Sequence, residues 1–522
     1  MIRTTRMHME QEIRSPAVFT REGRFFDAQG RQVILHGINL VNKDTASGYI
    51  GPEGPAEFAD FRRWGFNCLR LGVIWDGLEP QPGVFDERYL RALDRQIAWA
   101  SANDLLVFLD MHQDLYSVLF SDGAPAWATL TDGLPHETPG GVWSDAYFTS
   151  PAVQTALDHF WRNDPAPDGR GLQEHYALAW QTLARRYAQE PTVIGFDLMN
   201  EPFPGSAAQQ SQYLLFQRGA ELLSGLGRGP AASAEDLMLQ WLDPAGRCQI
   251  LESLEDPDLF AQVVDVTTPI YTAFEQGPLA ELYQRVGAAV RAVNPAAVLF
   301  LETSMGSNMG VYSGVRPFVH NGARDPRQAY APHGYDLVVD TPGNANSSPG
   351  RVELIFDRHA ETARRWDLPM LVGEWGAYGD AAGTLPAARV VSRLFEKHLC
   401  GDTYWAYEPG FPQAPCFAAV CRPYPERTAG ILHSYTYDDQ ADVFSCAWQE
   451  DPAVRSPTRI YLPAWFSPAV RSIELDPPGA GWELEIDHSG AAWLIIAPAV
   501  EAPPGLRRLR VAGPARLHFG SK

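Results

Sequence analysis

Val193-Ile194-Gly195-Phe196-Asp197-Leu198-Met199-Asn200-Glu201-Pro202 is a mostly apolar run that ends on a carboxylate. Runs of this kind read as strands covered on both faces, as in a parallel sheet, where polar and apolar residues no longer alternate. Pro369-Met370-Leu371-Val372-Gly373-Glu374-Trp375-Gly376 repeats the pattern, with Glu374 where the run gives out. Burying an unpaired carboxylate is costly, so an acid at the mouth of a core strand needs a reason. Either glutamate alone could cap a helix or pair with an arginine. Both together place two carboxylates at the ends of two strands of one sheet.

Outward from these two strands, the runs at 33–40, 66–73, 105–111, 193–199, 297–302, 329–335, 370–374 and 402–407 alternate with amphipathic stretches. Leu172, Tyr176, Trp180, Leu183 and Tyr187 make one apolar stripe ahead of the fourth run; Leu279, Leu282, Val286, Ala289, Val290 and Val293 make another ahead of the fifth. This alternation predicts an α/β chain closed as a (β/α)8 TIM barrel, with Glu201 and Glu374 ending strands four and seven. From about residue 439 the helical spacing stops. Short runs at 443–448, 459–461, 482–486, 492–497 and 507–511 then alternate with Pro/Gly turns, the pattern of a C-terminal antiparallel β-sandwich. The expected domains are therefore 1–438, a barrel with an N-terminal β-hairpin, and 439–522, the sandwich. Segments 113–170 and 202–277 are too long for ordinary loops and follow strands three and four. Barrels build their sites at those ends, so both segments are expected to wall or cap a cleft.

The 522 residues carry 63 acidic against 42 basic side chains, a formal charge of −21, which argues against nucleic acid and against electrostatic docking on anionic lipid. No window approaches ~18 uninterrupted apolar residues, and residues 1–16 lack the apolar core of a signal peptide, so a cytoplasmic protein is expected unless a leader was removed. Six cysteines in such a chain do not make a disulfide scaffold; Cys68 and Cys400 read as buried thiols, and Cys416 and Cys421 could pair in an oxidising compartment. No spaced His/Cys cluster suggests zinc, and neither metal nor cofactor is expected.

The other strand ends are polar and aromatic. Strand one brings His36-Gly37-Ile38-Asn39-Leu40 with Asn42 and Lys43, strand two Arg70, strand three Asp110-Met111-His112-Gln113-Asp114, strand six His333-Gly334-Tyr335-Asp336 and strand eight Trp405. Arg70 could be a core ion-pair partner, but beside two acids it is expected to keep one of them ionised. His112 and His333 alone read as satisfied core histidines; facing one mouth with Glu201 and Glu374 they read as functional. Trp405 is placed either to pack the barrel or to stack on a pyranose face. Two carboxyls, one protonated and one ionised, across a pocket of such residues suit glycosidic bond cleavage with retention.

Asn200-Glu201-Pro202, Gly373-Glu374-Trp375, Arg70, His112, His333 and Tyr335 together resemble glycoside hydrolase family five, the retaining clan with carboxylates on strands four and seven. His36 to Lys43, Asp110 to Asp114, Tyr330 to Asp336 and Arg422-Pro423-Tyr424-Pro425 are similar to the endoglycoceramidases and their glycosylceramidase relatives within it. The resemblance spans almost the whole chain. It implies Glu201 as general acid/base, Glu374 as nucleophile, Asn200 on the substrate 2-hydroxyl and Tyr335 close to the nucleophile. It also implies Lys43, Asp114 and Trp405 on the sugar next to the lipid, with Trp161 or Trp143 as a further wall. The substrate it implies is a glycosphingolipid or other glycolipid, cleaved between glycan and ceramide by a monomer. Contact with a membrane or micelle is expected through an apolar patch of Phe411, Phe417, Val420, Leu130, Leu134 and Trp143. Alternatives are an exo-acting β-glucosidase on glucosylceramide or a steryl glucoside, a cellulase-type enzyme on soluble glucans, and a non-catalytic carbohydrate- or lipid-binding barrel.

Overall fold

The computed structural model describes residues 17–226, 233–467, 470–498 and 505–513; residues 1–16, on which the leader reading rests, lie outside the described residues. The barrel strands are, in chain order, His36–Leu40, Cys68–Ile74, Leu106–His112, Val193–Asp197, Val298–Leu301, Gln328–Tyr330 with His333–Gly334, Leu371–Val372 with Glu374–Trp375, and Gly401–Tyr404. Strands six, five, four, three, two, one, eight and seven lie side by side in one parallel sheet. The sheet closes where strand six meets strand seven, through Tyr330 opposite Met370 and His333 opposite Glu374. Closure thus sets His333 beside Glu374. Strands six and seven are each interrupted, and local chemistry explains both breaks. Pro332 has no N–H to give the ladder. At Gly373 a β-carbon would lie 2.9 Å from Nε2 of His333, so glycine is what lets the imidazole lie against the strand.

The stripe ahead of strand four forms on the helix Leu172–Arg186 and is buried along its length. Its polar tips act on the strand: Tyr176 Oη and Trp180 Nε1 both donate to the Leu198 carbonyl, at 2.9 and 3.0 Å. The helix Pro278–Arg291 does the same for strand five, with Tyr283 Oη on the Glu302 carbonyl at 3.0 Å. The segment after strand four is a helical insertion built of Ala208–Gly225, Ala234–Trp241, Pro244–Ser253, Pro257–Val264 and Thr268–Gln276.

The C-terminal sandwich has a seven-stranded and a four-stranded antiparallel sheet. It takes in more chain than the 439–522 read from sequence. Tyr424–Thr428 and Gly430–Asp438 are sandwich strands, and the N-terminal hairpin Val18–Arg21/Arg24–Asp27, with Gln32–Val33, extends the larger sheet through Val33 opposite Arg427. The first barrel run, read as 33–40, therefore divides between two sheets. At the division the Asn67 side chain accepts from the His36 N–H at 2.9 Å and donates to the Ile34 carbonyl at 2.8 Å, replacing ladder bonds while the chain crosses. All six cysteines are free, and Cys416 and Cys421 are buried.

The apolar patch expected around 411–420 is core. Phe411 and Val420 are buried, and Phe411 and Phe417 pack on Trp64 with ring centroids 5.7 Å away. Leu130 is half-buried against the same core, while Leu134 and Trp143 stay exposed.

Candidate active site

Strand register gathers the polar residues at one end of the barrel. Arg70, fully buried on strand two, faces four carboxylates. Its Nη1 meets Glu374 Oε1 at 2.7 Å, Nη2 meets Glu302 Oε1 at 2.7 Å and Asp110 Oδ1 at 3.0 Å, and Nε meets Asp197 Oδ2 at 2.9 Å. Nη1 and Nη2 also donate to Asn39 and Asn200. One cation cannot neutralise four acids. Burial and the neighbouring Glu302 push Asp197 well above the usual carboxylate range, which keeps a proton in the cluster. A second cation offsets more of the negative charge: against the downward push of burial, Glu302 and Glu374 raise His333 well above the ordinary imidazole value.

His333 stands between the two glutamates. Its Nδ1 is 3.0 Å from Glu201 Oε1 and 3.6 Å from Glu374 Oε2, and Nε2 is 3.1 Å from Glu302 Oε1. Glu201 and Glu374 each turn an oxygen to within 4.8 Å of the other. That separation suits direct attack by one carboxylate; the roughly 6.5–9.5 Å that admits a water between them belongs to inverting enzymes. Tyr335 Oη donates to Glu374 Oε2 at 2.9 Å. Burial pushes Glu374 up, and His333 and Arg70 pull it back. Glu201 has φ 41°, in the left-handed region a glutamate rarely enters. Glu302 holds it there, accepting from the Glu201 N–H at 2.8 Å, and Asn308 donates to Oε1 at 3.3 Å.

Beside the pair, His112 stacks on Trp405 with centroids 5.1 Å apart, and the Lys43 ammonium lies 4.7 Å over the same indole while pairing with Asp114. Against burial and Lys43, Asp110 and Asp114 raise His112 to about 9. Asp114 is held down despite burial, by Lys43 first, whereas burial and Asp114 push Asp122 up. The His112–Asp114–Asp122 and Glu201–His333–Glu374 groupings have metal-like spacing, but Lys43 and the raised His333 already supply their positive charge.

A cleft of about 230 Å³ opens over these groups, lined by Lys43, His112, Asp114, Glu201, Tyr335, Glu374 and Trp405, and walled by the two long segments. The aromatic wall is Trp143, whose Nε1 donates to Asp340 at 2.8 Å across the mouth. Trp161 is not part of the lining: its indole is turned to the Phe203 carbonyl and packs edge-on against Phe274, because the helix carrying it faces the core. Asn200 is buried and committed to Arg70 and to the Gln113 carbonyl, and it is not among the residues that line the cleft. Sequence reading missed Glu302 and Asn308 as site residues. Glu302 directly follows strand five and obeys the strand-end criterion that found the other two glutamates; Asn308 closes the short helix Met305–Asn308 and carries no such mark. An apolar cavity of about 90 Å³ lies next to the cleft under the helical insertion; Phe148, Trp241, Met309 and Leu337 line both.

A parallel eight-stranded barrel with two carboxylates at this spacing at its C-terminal mouth defines a retaining glycosidase. The chain belongs to glycosyl hydrolase family 5: the family's cellulase profile matches residues 26–228 and 253–410, and its C-terminal domain profile matches 422–511. Endoglycoceramidase I of Rhodococcus hoagii is 26% identical over 467 residues, covering 86% of this chain and 80% of that protein. The ganglioside GM3 complex of endo-glycoceramidase II from Rhodococcus sp. superposes with a TM-score of 0.72 at 27% identity, covering 95% of this chain and 100% of the other. The lactosyl-enzyme intermediate of that enzyme matches with a TM-score of 0.69 at 27% identity over 94% of this chain and 99% of the other.

Proposed function

We propose that the protein hydrolyses the β-glycosidic bond between the glycan and the ceramide of a glycosphingolipid, with retention, through a glycosyl-enzyme intermediate. The observation that carries the reading is the apolar cavity set directly beside the polar cleft and sharing Phe148, Trp241, Met309 and Leu337 with it, a place for alkyl chains next to a place for a sugar. Glu374 attacks the anomeric carbon while Glu201 gives its proton to the ceramide oxygen. Glu201 then takes a proton from the water that releases the glycan. Tyr335 and Arg70 hold the nucleophile in line from opposite oxygens. Lys43, His112, Asp114 and Trp405 receive the sugar next to the lipid.

Tyr213 and Leu239, exposed on helices of the insertion that roof the cavity, support a transient contact with a membrane or micelle. Among the described residues no helix is long and apolar enough to cross a membrane. The competing reading is an exo-acting β-glucosidase on glucosylceramide or a steryl glucoside. Mass spectrometry of products from glucosylceramide, lactosylceramide, a ganglioside and a steryl glucoside decides between them. Intact oligosaccharide is expected; free glucose alone, from glucosylceramide or the steryl glucoside only, overturns endo action.

A further inference from the structure

Residues 229–252 lie between the two stretches that the family profile matches, and they send two side chains into the cleft, Trp241 and Arg247. Asp243 starts the helix Pro244–Ser253 by capping the Gly246 N–H at 2.7 Å. The strand-three segment docks on this turn: the Gly141 N–H donates to the Leu242 carbonyl at 2.8 Å, and a β-carbon on Gly141 would lie 2.5 Å from Pro244. Arg247 is thereby held from both sides. Its Nη2 pairs with buried Asp145, its Nε points to the Trp241 carbonyl at 3.4 Å, and its guanidinium carbon sits 4.4 Å from the Trp241 ring centre. The residue is 5% exposed, and its Nη1 has no partner among the described residues. A purely structural ion pair has no need of an unpartnered donor in a ligand cleft.

The position of this donor matters because Trp241 lines both the cleft and the apolar cavity. In a ceramide the amide nitrogen is carried by the carbon next to the one bearing the glycosidic oxygen, so the amide carbonyl falls where sugar contacts end and alkyl chains begin. Taking that carbonyl out of water without a donor is costly. A sterol has no polar group there. We infer that Arg247 is a specificity-determining residue that donates from Nη1 to the amide carbonyl of the aglycone and so selects ceramide over sterol or N-deacylated aglycones, an inference that rests on the glycolipid reading above.

The test compares kcat/KM of the wild type, Arg247→Met and the charge-neutral double variant Asp145→Asn/Arg247→Gln. The substrates are a glycosylceramide, its N-deacylated lyso form and a soluble aryl glycoside. Lost charged hydrogen bonds lower discrimination about tenfold or more. The ratios of glycosylceramide to lyso form and to aryl glycoside should both fall by that factor in both variants. Ratios unchanged within about twofold, whatever the absolute rates, overturn the inference while leaving the ceramide reading intact. A wild type that turns over the aryl glycoside but no glycosylceramide overturns the ceramide reading and the inference with it.

Discussion

At Glu374 and Glu201 the same side chain has two environments. Glu374 lies under Arg70 and Tyr335, and Glu201 lies under His333 and Asn308. Glu374→Ser is expected to abolish hydrolysis of every substrate, whereas Glu201→Ala should lose roughly 10²–10⁴-fold on poor leaving groups and far less on an activated aryl glycoside. Steady-state rates on both substrate types check this, and identical profiles would contradict the roles. The pH dependence follows from the same contacts. Burial raises Glu374, and a protonated nucleophile is inactive, so the acid limb of kcat/KM should sit above the ordinary carboxylate value of about 4.3. His333→Gln removes a cation that pulls Glu374 down, and the limb should move to higher pH. A limb that stays put would show that His333 is neutral.

One scale up, the elements that carry the site are fastened by residues far from it in sequence. Glu275, on the insertion helix Thr268–Gln276, is buried without a cationic partner among the described residues and accepts from the N–H and Oγ of Ser304 at 2.8 and 2.7 Å, from Ser307 Oγ at 3.0 Å, and from the Gly314 N–H. It ties down the short helix Met305–Asn308 and its flanks, which hold Asn308 against Glu201. Glu275→Ala should cost about 2–4 kcal/mol, since several buried donors lose their acceptor at ~1–3 kcal/mol each. Activity should fall with it because Asn308 is released. Denaturant melts together with kcat on an aryl glycoside read both effects.

For the molecule as a whole, the barrel and sandwich share buried charges. Against the upward push of burial, Arg422 holds Asp402 of strand eight down to about 2. Arg62, in the helix Pro55–Arg63 of the barrel, likewise holds Glu426 of the sandwich down to about 2. Both carboxyls bind protons more readily in the unfolded chain, where they titrate near 4. The stability they contribute is complete above about pH 5 and disappears as the pH falls toward 2. Acid titration of Tm should show the loss in that window, with barrel and sandwich unfolding together. Glu426→Ala should flatten the window and cost about 2–3 kcal/mol, because Arg62 and Arg427, both partly buried, lose the carboxylate they share. With a charge of −21 on the whole chain, binding to neutral micelles should resist moderate salt, which flotation at two ionic strengths measures.

The barrel was legible because its strands are apolar runs and its helices carry apolar stripes, both of which are local patterns. The two glutamates were legible as acids at the ends of such runs. Glu302 follows the same rule, but by itself it offered no partner to compare with. The helical stripes did not show that Tyr176 and Trp180 would fix the Leu198 carbonyl, nor the turn pattern that Val33 and Arg427 would pair across most of the chain. Nor did composition distinguish Phe411, which is core, from Trp143, which is wall; both are aromatic residues in Pro/Gly-rich loops. Periodicity and strand-end chemistry are written in neighbouring residues, so the sequence alone determined the fold class and picked out the two carboxylates that face each other at the barrel mouth. Burial, the charge balance around Arg70 and the junction of polar cleft with apolar cavity depend on which distant segments meet, and only the tertiary structure decided them.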